Sequence, residues 1–277
     1  MMKKMHFLLL PMVAFLFSSC EDVIDIKLPQ GKELMVVEAW LSNKPEAQYV
    51  KLYKSVPYLS EPVYPAVRQA SIILSDDAGN SEALTEVEPG KYEVKQMSFT
   101  VNRTYHLSIH AAEGSYEAST KMHRLGLALD SVVYKYEKKS LTVSKEGYYP
   151  YLYGQELPGL GDYFLLKIRQ NGKELKSVSD LYIISDQYVD GNYVSAVGLN
   201  MKEPFKEGDK IKYELYSLTE DYYRFWDDVK RQLNNGGLFA VPSTNTRTNL
   251  VKKDAQSMNV VGYFGVSATM TLENTVK

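Results

Sequence analysis

A mainly β fold is what this sequence predicts, and three observations carry the prediction. From residue 34 onward the apolar stretches are short and separated by turn residues. Tyrosine is abundant, 22 residues against 9 Phe and 2 Trp, and aromatic side chains suit the half-buried surface of a pleated strand. Apolar residues at clear helical spacing occur in one stretch, near 218–234. Of the 277 residues 44% are apolar and 24% charged, with a mean hydropathy of -0.30, a composition that buries a core and excludes disorder as the main state. That length fits a single large domain or a pair of modest ones. Lys and Arg total 32 against 34 Asp and Glu, so the net charge of -2 argues against a dedicated polyanion binder and no nucleic-acid partner is expected.

Residues 1–19 read as an export signal. Lys3 and Lys4 precede an apolar run from Phe7 to Phe17, interrupted by Pro11 and ending in Ser18-Ser19-Cys20. The run is about eleven residues, whereas a bilayer-spanning helix needs roughly twenty, so it is expected to be removed. Cys20 is the chain's one cysteine. Phe17-Ser18-Ser19-Cys20 resembles a bacterial lipoprotein box, with Phe where Leu is commonest. The resemblance implies cleavage before Cys20 and a cysteine carrying diacylglycerol and an N-acyl chain such as palmitate, an anchor of several chains where a single chain would be marginal. Loss of Lys3 and Lys4 would take the net charge from -2 to -4. Disulfides are then unavailable, and stability must come from the core. Residues 20–33 form an acidic tether, in which Glu21, Asp22 and Asp25 resemble the surface-export signal of Bacteroidota lipoproteins and imply the outer face of the outer membrane.

Residues 34–124 are expected to form an immunoglobulin-like β-sandwich. Leu34–Leu41 reads as a buried strand; Gln48–Ser55, Ala70–Leu74, Lys91–Val94, Tyr105–Ile109 and Tyr116–Ser119 follow. Ser75-Asp76-Asp77-Ala78-Gly79-Asn80 supplies a hairpin turn, because Asp, Gly and Asn tolerate the angles of a tight reversal. Residues 125–277 are expected to be a second, mostly β domain with strands near 129–134, 163–170, 181–185, 194–199, 210–218 and 262–272. Asn171-Gly172 signals a type I' turn. Residues 144–162, with Tyr148-Tyr149-Pro150-Tyr151-Leu152-Tyr153 and Pro158-Gly159-Leu160-Gly161, read as a long loop unsuited to regular strands. In the amphipathic helix, Ser217 and Glu220 form a capping box, Tyr222, Phe225, Trp226, Val229 and Leu233 make the apolar stripe, and Asn234-Asn235-Gly236-Gly237 closes it.

Enzyme motifs are missing: there is no G-x-S-x-G elbow, no phosphate loop and no H-E-x-x-H helix, so no catalytic residue and no cofactor is expected. His106 and His110 share a strand face about 13 Å apart, too far for one metal. Asp76-Asp77 with Gly79-Asn80, and Asp186 with Asp190-Gly191-Asn192, miss the spacing of a calcium loop and read as turns, so no metal site is assigned. Asp130-Ser131-Val132 matches a short O-glycosylation pattern of Bacteroidota exported proteins. The best candidate contacts are Tyr148, Tyr149, Tyr151 and Tyr153, because tyrosine combines contact area, a polar group and a small rotamer entropy cost.

Ser19-Cys20-Glu21-Asp22-Val23-Ile24-Asp25-Ile26 leading to Leu34–Ala39, the helix segment Tyr222-Tyr223-Arg224-Phe225-Trp226, and Gly236–Pro242 leading to Val261-Gly262-Tyr263-Phe264 occur in an order that resembles the Bacteroidota lipoprotein family called domain of unknown function 4249. The departures are Ala39 in place of a frequent Gly, and Asn245-Thr246-Arg247-Thr248-Asn249 in place of Asn-Val-x-x-Asn. The resemblance implies an outer-membrane lipoprotein commonly encoded beside a TonB-dependent receptor, and no known reaction. The expected function is therefore ligand capture, of a glycan or peptide, or an accessory role to a TonB-dependent transporter barrel in nutrient uptake. The alternative is a structural or adhesive surface lipoprotein binding host or envelope polymers.

Overall fold

The computed structural model describes residues 31–57, 60–236, 240 and 244–277. The expected signal 1–19 and residues 20–30 of the expected tether, Cys20 among them, lie outside the described residues. The protein is mainly β, with one α-helix among the described residues.

Two sheets share the first core. One runs β17-β1-β2-β6-β5, from β1 (Met35–Ser42), β2 (Gln48–Lys54), β5 (Thr85–Glu88), β6 (Lys91–Val94) and β17 (Val260–Ser267). The other runs β16-β8-β7-β3-β4, from β3 (Ser71–Asp76), β4 (Ser81–Ala83), β7 (Thr104–Ala111), β8 (Gly114–Lys121) and β16 (Val251–Lys252). Strand alternation builds the core between them: Val37, Ala39, Val50, Leu52, Ile72, Leu74, Leu107 and Ile109 all point inward. Strand β1 is not buried on both faces as its apolar run suggested. Met35, Val37, Ala39 and Leu41 enter the core, whereas Trp40 points outward and stays 40% exposed.

Three buried tyrosines tie loops to this core. Tyr92 Oη donates to Val67 O (3.1 Å) and accepts from Ala70 N (2.9 Å). Tyr105 Oη donates to Ser98 O (3.2 Å) and accepts from Thr100 N (2.6 Å), and Tyr116 Oη lies 3.0 Å from the carbonyls of Glu113 and Met258. Each hydroxyl satisfies loop backbone that would otherwise lose hydrogen bonds on burial.

The second core lies between a three-stranded sheet, β14-β10-β9, and a sheet in the order β12-β11-β15-β18 with β13 also paired to β11. Their strands are β9 (Leu127–Glu137), β10 (Gly147–Glu156), β11 (Tyr163–Gln170), β12 (Lys173–Glu174), β13 (Tyr182–Ser185), β14 (Tyr193–Gly198), β15 (Lys210–Leu218) and β18 (Thr269–Thr275). The expected loop at 144–162 is instead occupied over ten residues by β10, paired along its length to β9. Pro150 is tolerated because in an antiparallel ladder a residue's N–H and C=O face the same neighbour. Its carbonyl accepts from Leu199 N beyond the end of β14, so the absent N–H leaves the β9 ladder whole. Asn171 and Gly172 both take positive φ (51° and 81°), as the two-residue turn between β11 and β12 requires.

Helix α1 (Glu220–Leu233) packs on the outer face of β11 and β15, burying Tyr222, Phe225 and Trp226 against Leu165, Leu218 and Tyr263. Its N-cap is Thr219, whose hydroxyl accepts from Tyr222 N (3.1 Å), two residues beyond the Ser217 that the sequence suggested. Ser217 ends β15 instead, donating to His123 O and accepting from Ala268 N, both at 2.9 Å.

The two cores divide the chain near residue 125, yet the C-terminal segment crosses that line. Strand β17 pairs in parallel with β1 from Met35↔Val260 to Ser42↔Ser267, and after Ala268 alone the chain continues as β18 in the second sandwich. Residues 34–124 therefore do not complete the first sandwich unaided. Two glycines permit this docking: a Cβ on Gly262 (φ +99°) would sit 2.0 Å from Val37 O, and one on Gly265 would sit 2.2 Å from the Tyr222 ring. Glu33–Lys277 consequently form one compact unit.

Candidate functional site

A groove of about 740 Å³ runs between the outer face of β1 and β2 and the outer face of β11 and β15, with α1 at one end. Strand register sets its chemistry. Outward positions on β11 carry Leu165, Lys167 and Arg169, and their direct partners on β15 are Tyr216, Glu214 and Lys212. From the opposite wall come Trp40, Tyr49 and, in the β1–β2 connection, Lys44 and Glu46.

Glu214 is the electrostatic centre. It is buried, receives the Lys44 ammonium, and accepts from Arg169 Nε at 3.0 Å. Burial alone would raise its carboxyl pKa, but the hydrogen bonds from Lys44 and Arg169 outweigh burial and hold it below the usual range. Burial likewise pulls the Lys44 amine down, and its bonds to Glu214 and to Tyr216 Oη (2.7 Å) more than reverse that.

Lys167 is placed differently. Its nearest carboxylate is Glu174 at 3.9 Å, beyond hydrogen-bond length, and its ammonium faces the rings of Tyr216 (5.4 Å to the centroid) and Trp40 (5.8 Å). Burial lowers its pKa, with Glu174 and Glu214 only partly offsetting the effect. Trp40 packs on Trp226 with ring centroids 5.0 Å apart, which fixes the exposed indole at the groove. The result is an incompletely paired cation between aromatic faces in a partly desolvated cleft.

The four tyrosines singled out by sequence do not line this groove. They lie on β10, and no two share one role. Tyr149 is in the second core and donates to Lys145 O (2.7 Å). Tyr148 is half-buried and meets Tyr136 edge-on at 5.3 Å. Tyr151 donates to Glu137, with Lys135 Nζ 4.1 Å above its ring. Tyr153 is half-buried opposite Ser131 on β9. The adjoining Asp130-Ser131 pair is exposed, with Ser131 Oγ bonded to Asp130 Oδ1 (2.9 Å) and Tyr193 Oη to Asp130 Oδ2 (2.9 Å). Sequence reading passed over Trp40, Lys44, Lys167, Arg169 and Glu214. The available signal was the alternation of Lys167 and Arg169 with apolar residues in Leu165–Arg169, and of Lys212 and Glu214 with Tyr213 and Leu215 in Lys212–Tyr216, two strands that also needed an apolar inner face.

The turns read from sequence form as expected around Asp76, whose Oδ1 accepts from Ala78 N (3.0 Å) and Asn80 N (2.9 Å). His110 Nδ1 contacts Ser115 Oγ at 3.0 Å on the exposed face of β7.

Residues 21–273 match the family described as "Domain of unknown function (DUF4249)". No curated protein matches the chain.

Proposed function

From the premise that this chain belongs to the DUF4249 family, whose description names no activity, we propose that it is a non-enzymatic, lipid-tethered binding protein of the outer-membrane surface that captures an acidic glycan for a TonB-dependent transporter. The observation that carries the ligand class is Lys167, an ammonium with no hydrogen-bonded carboxylate, held between Tyr216 and Trp40. A sugar ring offers apolar C–H faces to an indole or phenol, and a uronic carboxylate offers the partner that Lys167 lacks. Arg169 and Lys44 are committed to Glu214 and keep the cleft floor rigid. Rigidity of that kind reduces the ordering cost of binding. The lipid at Cys20 supplies the second half of the mechanism: a tether raises the concentration of the binding cleft at a barrel in the same membrane.

Two measurements test the reading. Titration calorimetry with uronic-acid oligosaccharides should give binding that drops at least about tenfold in Lys167→Met and Trp40→Ala, with neutral oligosaccharides weaker throughout. Equal affinity for acidic and neutral sugars, or full affinity in both variants, removes the groove from the account. A mild-detergent pull-down from native membranes, with Cys20→Ala as control, should recover a TonB-dependent receptor in stoichiometric amount. Recovery of the lipoprotein alone from an intact preparation moves the assignment to an adhesive surface protein.

A further inference from the structure

Three carboxylates from separate parts of the second sandwich converge where β10 ends. Glu156 is the last residue of β10; Asp186 follows β13; Asp190 stands four residues on, in the turn before β14. One carboxylate oxygen from each lies within 4.8 Å of the other two. Glu156 is 0% exposed and Asp186 2% exposed, while Asp190 is open to solvent.

The remaining hydrogen bonds account for one oxygen of each group. Glu156 Oε2 accepts from Gly191 N (2.5 Å). Asp186 Oδ2 accepts from Gly161 N (2.7 Å) and Asp162 N (2.9 Å), and Asp190 Oδ1 accepts from Gly159 N (2.7 Å). The other Glu156 oxygen, Oε1, is fully buried and has no partner. A buried carboxylate oxygen left unpaired is costly, and the like charges of Asp162, Asp186 and Asp190 act on the same group. The nearby cation, Arg124, is spent elsewhere: its guanidinium bonds the Asp162 carboxylate (2.7 Å) and the carbonyls of Pro158 (2.9 Å) and Gly159 (3.1 Å). Among the described residues, no Lys or Arg forms an ion pair with Glu156, Asp186 or Asp190.

We propose that Glu156, Asp186 and Asp190 form a calcium site that fastens the 157–162 loop to the turn at 186–192. The donors are all oxygens, which selects a hard cation over zinc or copper. Two ligands on one Ca²⁺ ion lie no farther apart than twice the Ca–O distance of about 2.4 Å, a limit that all three oxygens satisfy. A Mg²⁺ shell is tighter and more strictly octahedral, and is served less well by two buried side chains already fixed by backbone donors. The open side at Asp190 leaves room for water to complete the shell. In the sequence, Asp186 and Asp190 failed the calcium-loop spacing because the third ligand, Glu156, arrives from another strand.

The test uses the full chain in detergent. After EDTA treatment and dialysis, thermal unfolding is followed with millimolar CaCl2, MgCl2 or EDTA. Saturating calcium should raise the midpoint by roughly 5–10 °C over EDTA, the shift expected for a ligand about a hundredfold above its dissociation constant in a domain of this size. Glu156→Gln and Asp190→Asn should unfold cooperatively without that shift, and the exposed Asp190 keeps the test valid if Glu156→Gln fails to fold. Calorimetric titration of CaCl2 should give one binding event per chain in the wild type and none in Asp190→Asn. Identical midpoints in CaCl2 and EDTA overturn the proposal, since Glu156 would then be relieved by protonation rather than by an ion. A shift with MgCl2 but not CaCl2, or one that persists in both variants, also overturns it.

Discussion

Two sets of tyrosines, one in each sandwich, are used in opposite ways. In the first, the hydroxyls of Tyr92, Tyr105 and Tyr116 reach backbone groups of connecting loops from the hydrophobic core, and each ring is at most 1% exposed. In the second, the hydroxyls of Tyr151, Tyr193 and Tyr216 bond Glu137, Asp130 and Lys44, and their rings are half-buried or exposed. The first arrangement fixes loops, whereas the second displays polarised aromatic surface. A high tyrosine count is thus no measure of binding surface until each hydroxyl has been followed to its partner.

Substitutions sharpen that contrast. Tyr105→Ala empties a fully buried ring site and should destabilise by about 3–5 kcal/mol in urea unfolding. A loss below about 1 kcal/mol would mean that the first sandwich is not organised around its tyrosines. Glu214→Gln leaves Lys44 and Arg169 facing a neutral group, and with Arg169 partly solvated the cost should be roughly 2–3 kcal/mol at pH 7. Because the folded-state pKa of Glu214 lies below its unfolded value, its contribution is present above about pH 4.3 and disappears as pH falls through the folded value. The gap between wild type and Glu214→Gln should therefore close in acid; a gap independent of pH would assign the effect to shape rather than charge.

Tyr92→Phe keeps the ring but strands Ala70 N and Val67 O, and should cost about 1–2 kcal/mol. Tyr151→Phe removes a solvent-accessible bond to Glu137 and should change stability by less than about 0.5 kcal/mol. Equal losses for these last two would abolish the distinction between loop-fixing and displayed tyrosines.

What sequence revealed and what it hid divide along the same physical line. Local signals were legible. The Asp76–Asn80 hairpin, the Asn171-Gly172 turn and the first part of the apolar stripe of α1 depend on neighbours a few residues apart and formed, with Tyr222, Phe225 and Trp226 buried while Leu233 at the far end of the stripe stays exposed. Strand β10 was hidden because consecutive tyrosines and Pro150 obscure period-two alternation, and only the end of β14 explains why the proline fits. The N-cap shifted from Ser217 to Thr219 because Ser217 is taken up by contacts with His123 and Ala268, partners distant in sequence. The groove was hidden for a related reason: Trp40, Lys167 and Glu214 are brought together by three strands whose adjacency no local pattern records. Glu156 joins Asp186 and Asp190 in the same nonlocal way.

The parallel ladder between β1 and β17 bears on the order of assembly. Strand β1 opens the first sandwich, yet one of its two neighbours is supplied near the end of the polypeptide. A chain emerging from its N-terminus can pair β1 with β2 early, but closing the loop to β17 must wait until nearly all residues have been made. Until then β1 keeps an open hydrogen-bonding edge carrying Met35, Val37, Ala39 and Leu41. The last strands thus act as a latch, and neither sandwich is complete until β17 and β18 have been made.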